Sequence, residues 1–185
     1  MAIFIYVGAE VTIASLMINF LNLQDVLGLP LQTAGSWLAN FYWGGALVGR
    51  FIGSALLTRV PAPRLLMVAA ACAAILCCIT FTSTGPIAAY AALSVGLFNA
   101  VMFPIIFIMT LERSAAPQAA TSGLLCTAIV GGAFVPLLAG QIADSISLFA
   151  AFAVPALAYC FIVAFAIIAG NKKAIQTSMP LRSSH

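Results

Sequence analysis

Residues 2–23 read AIFIYVGAEVTIASLMINFLNL, and the class of the protein turns on this run. About 20 consecutive apolar residues, at 1.5 Å of rise each, carry a helix across the hydrocarbon core of a bilayer. The run holds one formal charge, Glu10, and no Lys or Arg precedes Arg50. An acid at the centre of a membrane helix costs on the order of 2.5 kcal/mol or more, so it normally faces a bundle interior or a wet cavity. Glu10 is therefore the first candidate functional residue.

Composition extends this reading to the whole chain. Of 185 residues, 64% are hydrophobic and 6% charged, against about 25% charged in a soluble domain. A net charge of +3, scattered along the chain, argues against a nucleic-acid partner. Cys72, Cys77, Cys78, Cys126 and Cys160 lie in apolar stretches without metal-ligand spacing or a disulfide framework, and read as packing residues. The single histidine is His185, in the tail. Metal, cofactor and Ser/His/Asp or Cys/His chemistry have nothing to stand on, and Glu112 with Arg113 in a loop is too little for a membrane enzyme. A non-enzymatic membrane protein is expected.

Six runs are long enough to span: 2–23, 36–57, 65–84, 86–111, 120–143 and 148–170. Turn chemistry separates them, from Gln24-Asp25 to Pro30, across Arg59 to Arg64, at Thr84-Gly85-Pro86, from Glu112 to Gln118, and from Asp144 to Ser147. Pro104, Pro136 and Pro155 fall inside runs, where they are expected to kink helices. With the amino terminus in the cytoplasm, Arg59, Arg64, Arg113, Lys172, Lys173 and Arg182 all lie on the cytoplasmic side, and Asp25 and Asp144 lie opposite. Both termini are thus expected inside. The first run lacks a basic leader and contains Glu10, unlike a cleaved signal. Residues 1–170 read as one transmembrane bundle, followed by a short polar cytoplasmic tail, 171–185.

An internal echo suggests a further division. Gly44-Gly45-Ala46-Leu47-Val48 with Gly53 matches Gly131-Gly132-Ala133-Phe134-Val135 with Gly140, at one constant offset. The matches fall in the second and fifth runs, which cross in opposite directions, as a three-plus-three inverted repeat requires. Chance also produces Gly/Ala matches in membrane helices.

Several motifs, in order and spacing, carry a resemblance: Tyr6-Val7-Gly8-Ala9-Glu10; Phe41-Tyr42-Trp43-Gly44-Gly45 with Val48-Gly49-Arg50-Phe51-Ile52-Gly53; Met102-Phe103-Pro104 with Ile106-Phe107; then Ser122-Gly123-Leu124, Gly131-Gly132-Ala133, Pro136-Leu137 and Ala143-Asp144. Over roughly residues 4–144 the chain resembles the carboxy-terminal half of the fucose–galactose–glucose/proton symporter family of the major facilitator superfamily. The resemblance implies an all-α membrane fold, six helices forming half of a twelve-helix transporter, in a bacterial inner membrane. It implies hexose transport, proton-coupled, by alternating access, with a sugar, a proton and the lipid bilayer as partners. The chain departs from the family at Ile105, where a Thr is expected, and it lacks the amino-terminal half whose carboxylates the family associates with proton coupling. A missing half, or a second copy of this chain, is the implied protein partner, and a truncated, split or domain-only product is expected.

In this superfamily the first, second, fourth and fifth helices of each half line the cavity. Tyr6, Glu10, Asn40, Trp43 and Asn99 are then the candidate substrate residues, because amides, carboxylates and an aromatic face suit a hexose. Asn99 sits at mid-span, where helix-to-helix bonding is the alternative. Tyr42 and Trp43 are adjacent, so at most one faces a cavity. Glu10 and Arg50 lie about 10–12 Å from the same side, making them candidates for an ion pair or for proton coupling. A helical wheel puts Gly8, Thr12, Ser15 and Asn19 on one stripe, with Tyr6 and Glu10 almost opposite. Either the first helix breaks, or Glu10 faces a packed neighbour. The rival to transport is a membrane scaffold, or an inactive product, sharing the half-fold.

Overall fold

A computed structural model describes residues 1–171; the tail positions Lys172, Lys173, Arg182 and His185 lie outside the described residues. The first run forms one unbroken helix, α1 (Ala2–Asn22). The Asn22 amide donates to the Leu29 carbonyl at 2.7 Å, holding the reversal that follows. Gly28 takes φ 59° in that turn, a left-handed conformation that a Cβ disfavours.

Residues 31–57 are helical throughout but change winding twice. Pro30 leads into α2 (Leu31–Trp37), a π-helical segment covers Leu38–Trp43, and α3 runs Gly44–Leu57. The helix begins before the expected residue 36 because Gln32 and Thr33 are polar but helix-compatible, so hydropathy alone passes over the first turn. Residues 58–61 lead to α4 (Ala62–Thr82), with Pro63 in its first turn, where the missing N–H has no intrahelical partner to lose. The tight break before α5 (Gly85–Arg113) uses Gly85 at φ 66°, and its N–H donates to the Asp25 carbonyl at 2.7 Å. That bond places the end of α1 beside the turn between α4 and α5.

The chain continues through α6 (Gln118–Thr127), a 3₁₀ turn (Ala128–Val130) and α7 (Gly131–Ser145). A short helix, α8 (Leu148–Ala151), is capped by the Ser147 hydroxyl, which accepts from the Ala150 N–H at 3.0 Å. After a break at Phe152 comes α9 (Ala153–Asn171). Pro155 lies within the Leu148–Asn171 stretch, in the first turn of α9 just after the break at Phe152. Pro104 and Pro136 do lie inside helices.

Among the described residues, five helices are long and apolar enough to cross a membrane: Ala2–Asn22, Ala62–Thr82, Gly85–Arg113, Gln118–Ser145 and Leu148–Asn171. Small residues bring them together. Ala69, Ala70 and Ala73 of α4, Ala88, Ala89 and Ala92 of α5, and Ala156 and Ala166 of α9 are buried where these three helices pack. Helices in lipid associate through such close van der Waals contact rather than through a hydrophobic driving force. Two glycine crossings are tighter still. A Cβ at Gly131 would run into the Phe4 carbonyl of α1, and one at Gly8 into Val135 of α7. A Cβ at Gly49 would meet the Leu97 carbonyl of α5, and one at Gly96 the Tyr42 carbonyl. The α1–α7 and α3–α5 pairs are thereby locked at backbone distance. Both changes of winding end at the matching glycine pairs, since α3 begins at Gly44 and α7 at Gly131.

Candidate functional site

Four polar side chains meet in the interior around Asn99, which is fully buried at 0% exposure. The Tyr159 hydroxyl donates to the Asn99 side-chain oxygen at 2.7 Å, and the Asn99 amide donates to the Tyr42 hydroxyl at 2.9 Å. The Tyr6 hydroxyl donates to the Asn99 backbone carbonyl at 2.8 Å, and the Tyr42 hydroxyl reaches the Glu10 carbonyl at 3.4 Å. The network ties α1, the π segment, α5 and α9 together. No buried side-chain nitrogen or oxygen among the described residues is left without a partner, as low-dielectric surroundings demand. In this conformation Asn99 is bonded to the protein on every side and does not open on a cavity.

Beside this network lies a cavity of about 680 Å³, within the range of about 300–1,000 Å³ typical of small-molecule sites. Its polar wall is Tyr6 and Glu10 from α1 with Arg50 and Ser54 from α3; its apolar wall includes Phe103 and Pro104 from α5 and Ile129 from the 3₁₀ turn. Tyr6 and Phe103 stand 6.3 Å apart at 53°, and Phe103 stacks on Phe107 at 6.1 Å and 26°. Local sequence explains the convergence: Tyr6 and Glu10, Arg50 and Ser54, and Asn99 and Phe103 are each four residues apart, on one helix face.

Glu10 is partly buried and Arg50 exposed. They share the cavity, yet the only ion pair within 4.0 Å among the described residues is Arg113 with Glu112, at 3.4 Å. The expected Glu10–Arg50 contact is thus open in this conformation. The helical-wheel conflict resolves without a break in α1. Gly8 and Thr12 face inward against α7, the Thr12 hydroxyl bonding back to the Gly8 carbonyl at 2.7 Å, while Tyr6 and Glu10 look toward α3 and α5. Ser15 and Asn19 are exposed.

Two candidates lie elsewhere. Trp43 is 46% exposed and Asn40 is exposed, and neither lines the cavity. In a π-wound segment Tyr42 turns inward and Trp43 outward, edge-on to Tyr42 at 5.2 Å and 89°. Sequence reasoning did not single out Ser54, Tyr159 or Phe103 as site residues; the four-residue spacing from Arg50 and Asn99 was the available signal for Ser54 and Phe103. Among the described residues no three His, Cys, Asp or Glu side chains assemble as a metal site requires.

No family model matches the chain. The glucose/galactose transporter of Brucella abortus biovar 1 (strain 9-941) is 45% identical over 170 residues, covering 92% of this chain and 41% of that protein. The L-fucose-proton symporter of Escherichia coli (strain K12) is 28% identical over 170 residues, covering 90% of this chain and 38% of that protein. A crystal structure of FucP, a major facilitator superfamily transporter in the outward conformation, superposes with a TM-score of 0.87 at 25% identity, covering 92% of this chain and 41% of that one. The chain therefore spans about two-fifths of the length of the relatives it matches. It is a multi-pass, all-helical membrane protein, and it belongs to the fucose–galactose–glucose/proton symporter family of the major facilitator superfamily, corresponding to its carboxy-terminal half.

Proposed function

We propose that this chain forms half of a hexose transporter, with the Glu10–Arg50 cavity as its share of the translocation path. The observation that carries the reading is the convergence of a carboxylate, a guanidinium and two aromatic rings on one open cavity of an apolar bundle. A sugar presents hydroxyl donors and acceptors on its rim and C–H bonds on its faces. Glu10 accepts from the first, Arg50 and Ser54 donate to the second, and the Phe103 and Tyr6 rings cover the third. The carboxylate is also the group in this cavity able to carry a proton, which gives symport a site on this half.

The segment Leu31–Leu57 completes a sixth span, and the bundle is a three-plus-three inverted repeat. Supporting this, the second and fifth spans each change winding just before the Gly-Gly pair, and α1–α7 mirrors α3–α5. Both termini lie on the cytoplasmic side of a bacterial inner membrane. Sugar binds between this half and an amino-terminal half, and rocking of the two exposes it to either side.

Co-expression of this chain with the amino-terminal part of the Brucella abortus relative, followed by uptake of labelled glucose, galactose and fucose into vesicles, tests the proposal. Uptake that needs both parts supports it. A stable complex of the two that binds none of the sugars contradicts it and favours a scaffold.

A further inference from the structure

A second cavity, of about 420 Å³, lies between the first turn of α4 and the last turn of α9. Its apolar lining includes Pro61, Pro63, Met67 and Ile167. Gly170 keeps it open, since a Cβ there would reach the Pro63 Cβ at 3.0 Å. Arg64 stands on its edge, exposed, with no carboxylate within 4.0 Å among the described residues.

Charge at this end of the bundle is one-sided. The Arg113 guanidinium donates to the Ala169 carbonyl at 2.7 Å, so the ends of α5 and α9 lie together here. Asp25 is at the other end, bonded through its carbonyl to the turn before α5. Asp144 is there too, close in sequence to Phe149, which packs on Phe20 near the end of α1 at 5.1 Å. Glu10 lines the first cavity. Of the four acids in the chain, Glu112 alone remains at the basic end, and Arg113 engages it. Against it stand Arg59 and Arg64.

We propose that this groove binds one anionic phospholipid, with the phosphate on Arg64 and the glycerol and upper acyl chains along Met67 and Ile167. Cations clustered between helix ends at the membrane surface attract anionic headgroups. The apolar wall distinguishes a lipid from a free anion: Ile167, Ile168 and Val68 are exposed on the outside of the same two membrane-spanning helices, where acyl chains run. The inference rests on the membrane placement of α4 and α9 and not on sugar transport, so it can fail or hold independently of the transport reading.

The test titrates the purified chain, in neutral detergent, with phosphatidylglycerol and with phosphatidylcholine of the same acyl composition, counting bound lipid by native mass spectrometry. One saturable phosphatidylglycerol is expected, preferred over phosphatidylcholine. Arg64→Gln should weaken it about fivefold, the worth of roughly one cation near an anionic headgroup. Ile167→Trp, which fills the apolar wall and keeps the charge, should weaken it as well, whereas Arg59→Gln should weaken it less than Arg64→Gln does, Arg59 lying outside the groove. Both substituted groove residues are exposed, and unchanged melting of the variants confirms intact folding. Equal affinity for the two lipids, inorganic phosphate binding as tightly as the lipid, or wild-type affinity in Arg64→Gln and Ile167→Trp would each overturn the proposal.

Discussion

The Tyr159 hydroxyl and the Asn99 side-chain oxygen lie 2.7 Å apart, fastening α9 to α5 at a point no water reaches. Asn99 spends both ends of its amide on tyrosines of other segments, so it holds the bundle that the cavity is carved from. Asn99→Leu removes the acceptor of the Tyr159 hydroxyl and the donor to Tyr42, which keeps its bond to the Glu10 carbonyl; a buried hydroxyl left without a partner costs about 1–3 kcal/mol. Thermal unfolding in detergent should show Asn99→Leu melting well below wild type and below Tyr159→Phe, which leaves the Tyr42 bond in place. The double variant should cost less than the sum of the two, since both remove the same bond.

The glycine crossings give a sharper contrast. Gly49→Ala and Gly131→Ala each place a methyl group against a backbone carbonyl of the facing helix, which cannot swing aside. Overpacking of this kind costs about 1–3 kcal/mol. Gly123→Ala and Gly140→Ala meet nothing within 4 Å and should melt within about 0.5 kcal/mol of wild type, as surface changes usually do.

Orientation follows from the loops. A cysteine introduced at Asp25 should react with an impermeant maleimide added to intact cells, and one at Ala116 only after the membrane is opened. Both tests belong in a background where the exposed Cys78, Cys126 and Cys160 are replaced by serine. The reverse pattern would invert the proposed topology.

Arg50 should matter for the ligand more than for the fold. It is exposed to the cavity and no carboxylate comes within 4.0 Å of it among the described residues. Arg50→Gln should leave the melting temperature nearly unchanged while raising the sugar concentration needed for half-maximal uptake by about tenfold, the value of one charge-assisted hydrogen bond. A large drop in melting with normal uptake would return Arg50 to a structural ion pair.

The sequence disclosed the membrane class and the helical character of the chain through apolar runs bounded by Pro, Gly and charged loops, because those signals are local. The π segment was not visible in Leu38–Trp43, which contains no glycine or proline. Its winding accompanies the reach of Tyr42 to Asn99, a tertiary contact. Asn99 was legible as a mid-span polar residue but not as a hub, since its partner Tyr159 sits in a helix that reads as generic apolar sequence. Glu10, Tyr6 and Arg50 were legible, being ionisable or polar in apolar surroundings. Phe103 and Ser54 were not, because a Phe and a Ser in a membrane helix carry no charge anomaly. Trp43, singled out by residue type, stands apart from this cavity, half-exposed and edge-on to Tyr42.

Glu10 is proposed to serve the transported sugar or its proton. Sugar uptake across a range of pH, in vesicles containing both halves with wild-type Glu10 or Glu10→Gln, tests it most directly. Glu10→Gln is expected to fold normally, melt like wild type, and lose either uptake or its dependence on pH. Full uptake with the wild-type pH dependence in a well-folded Glu10→Gln protein would contradict it.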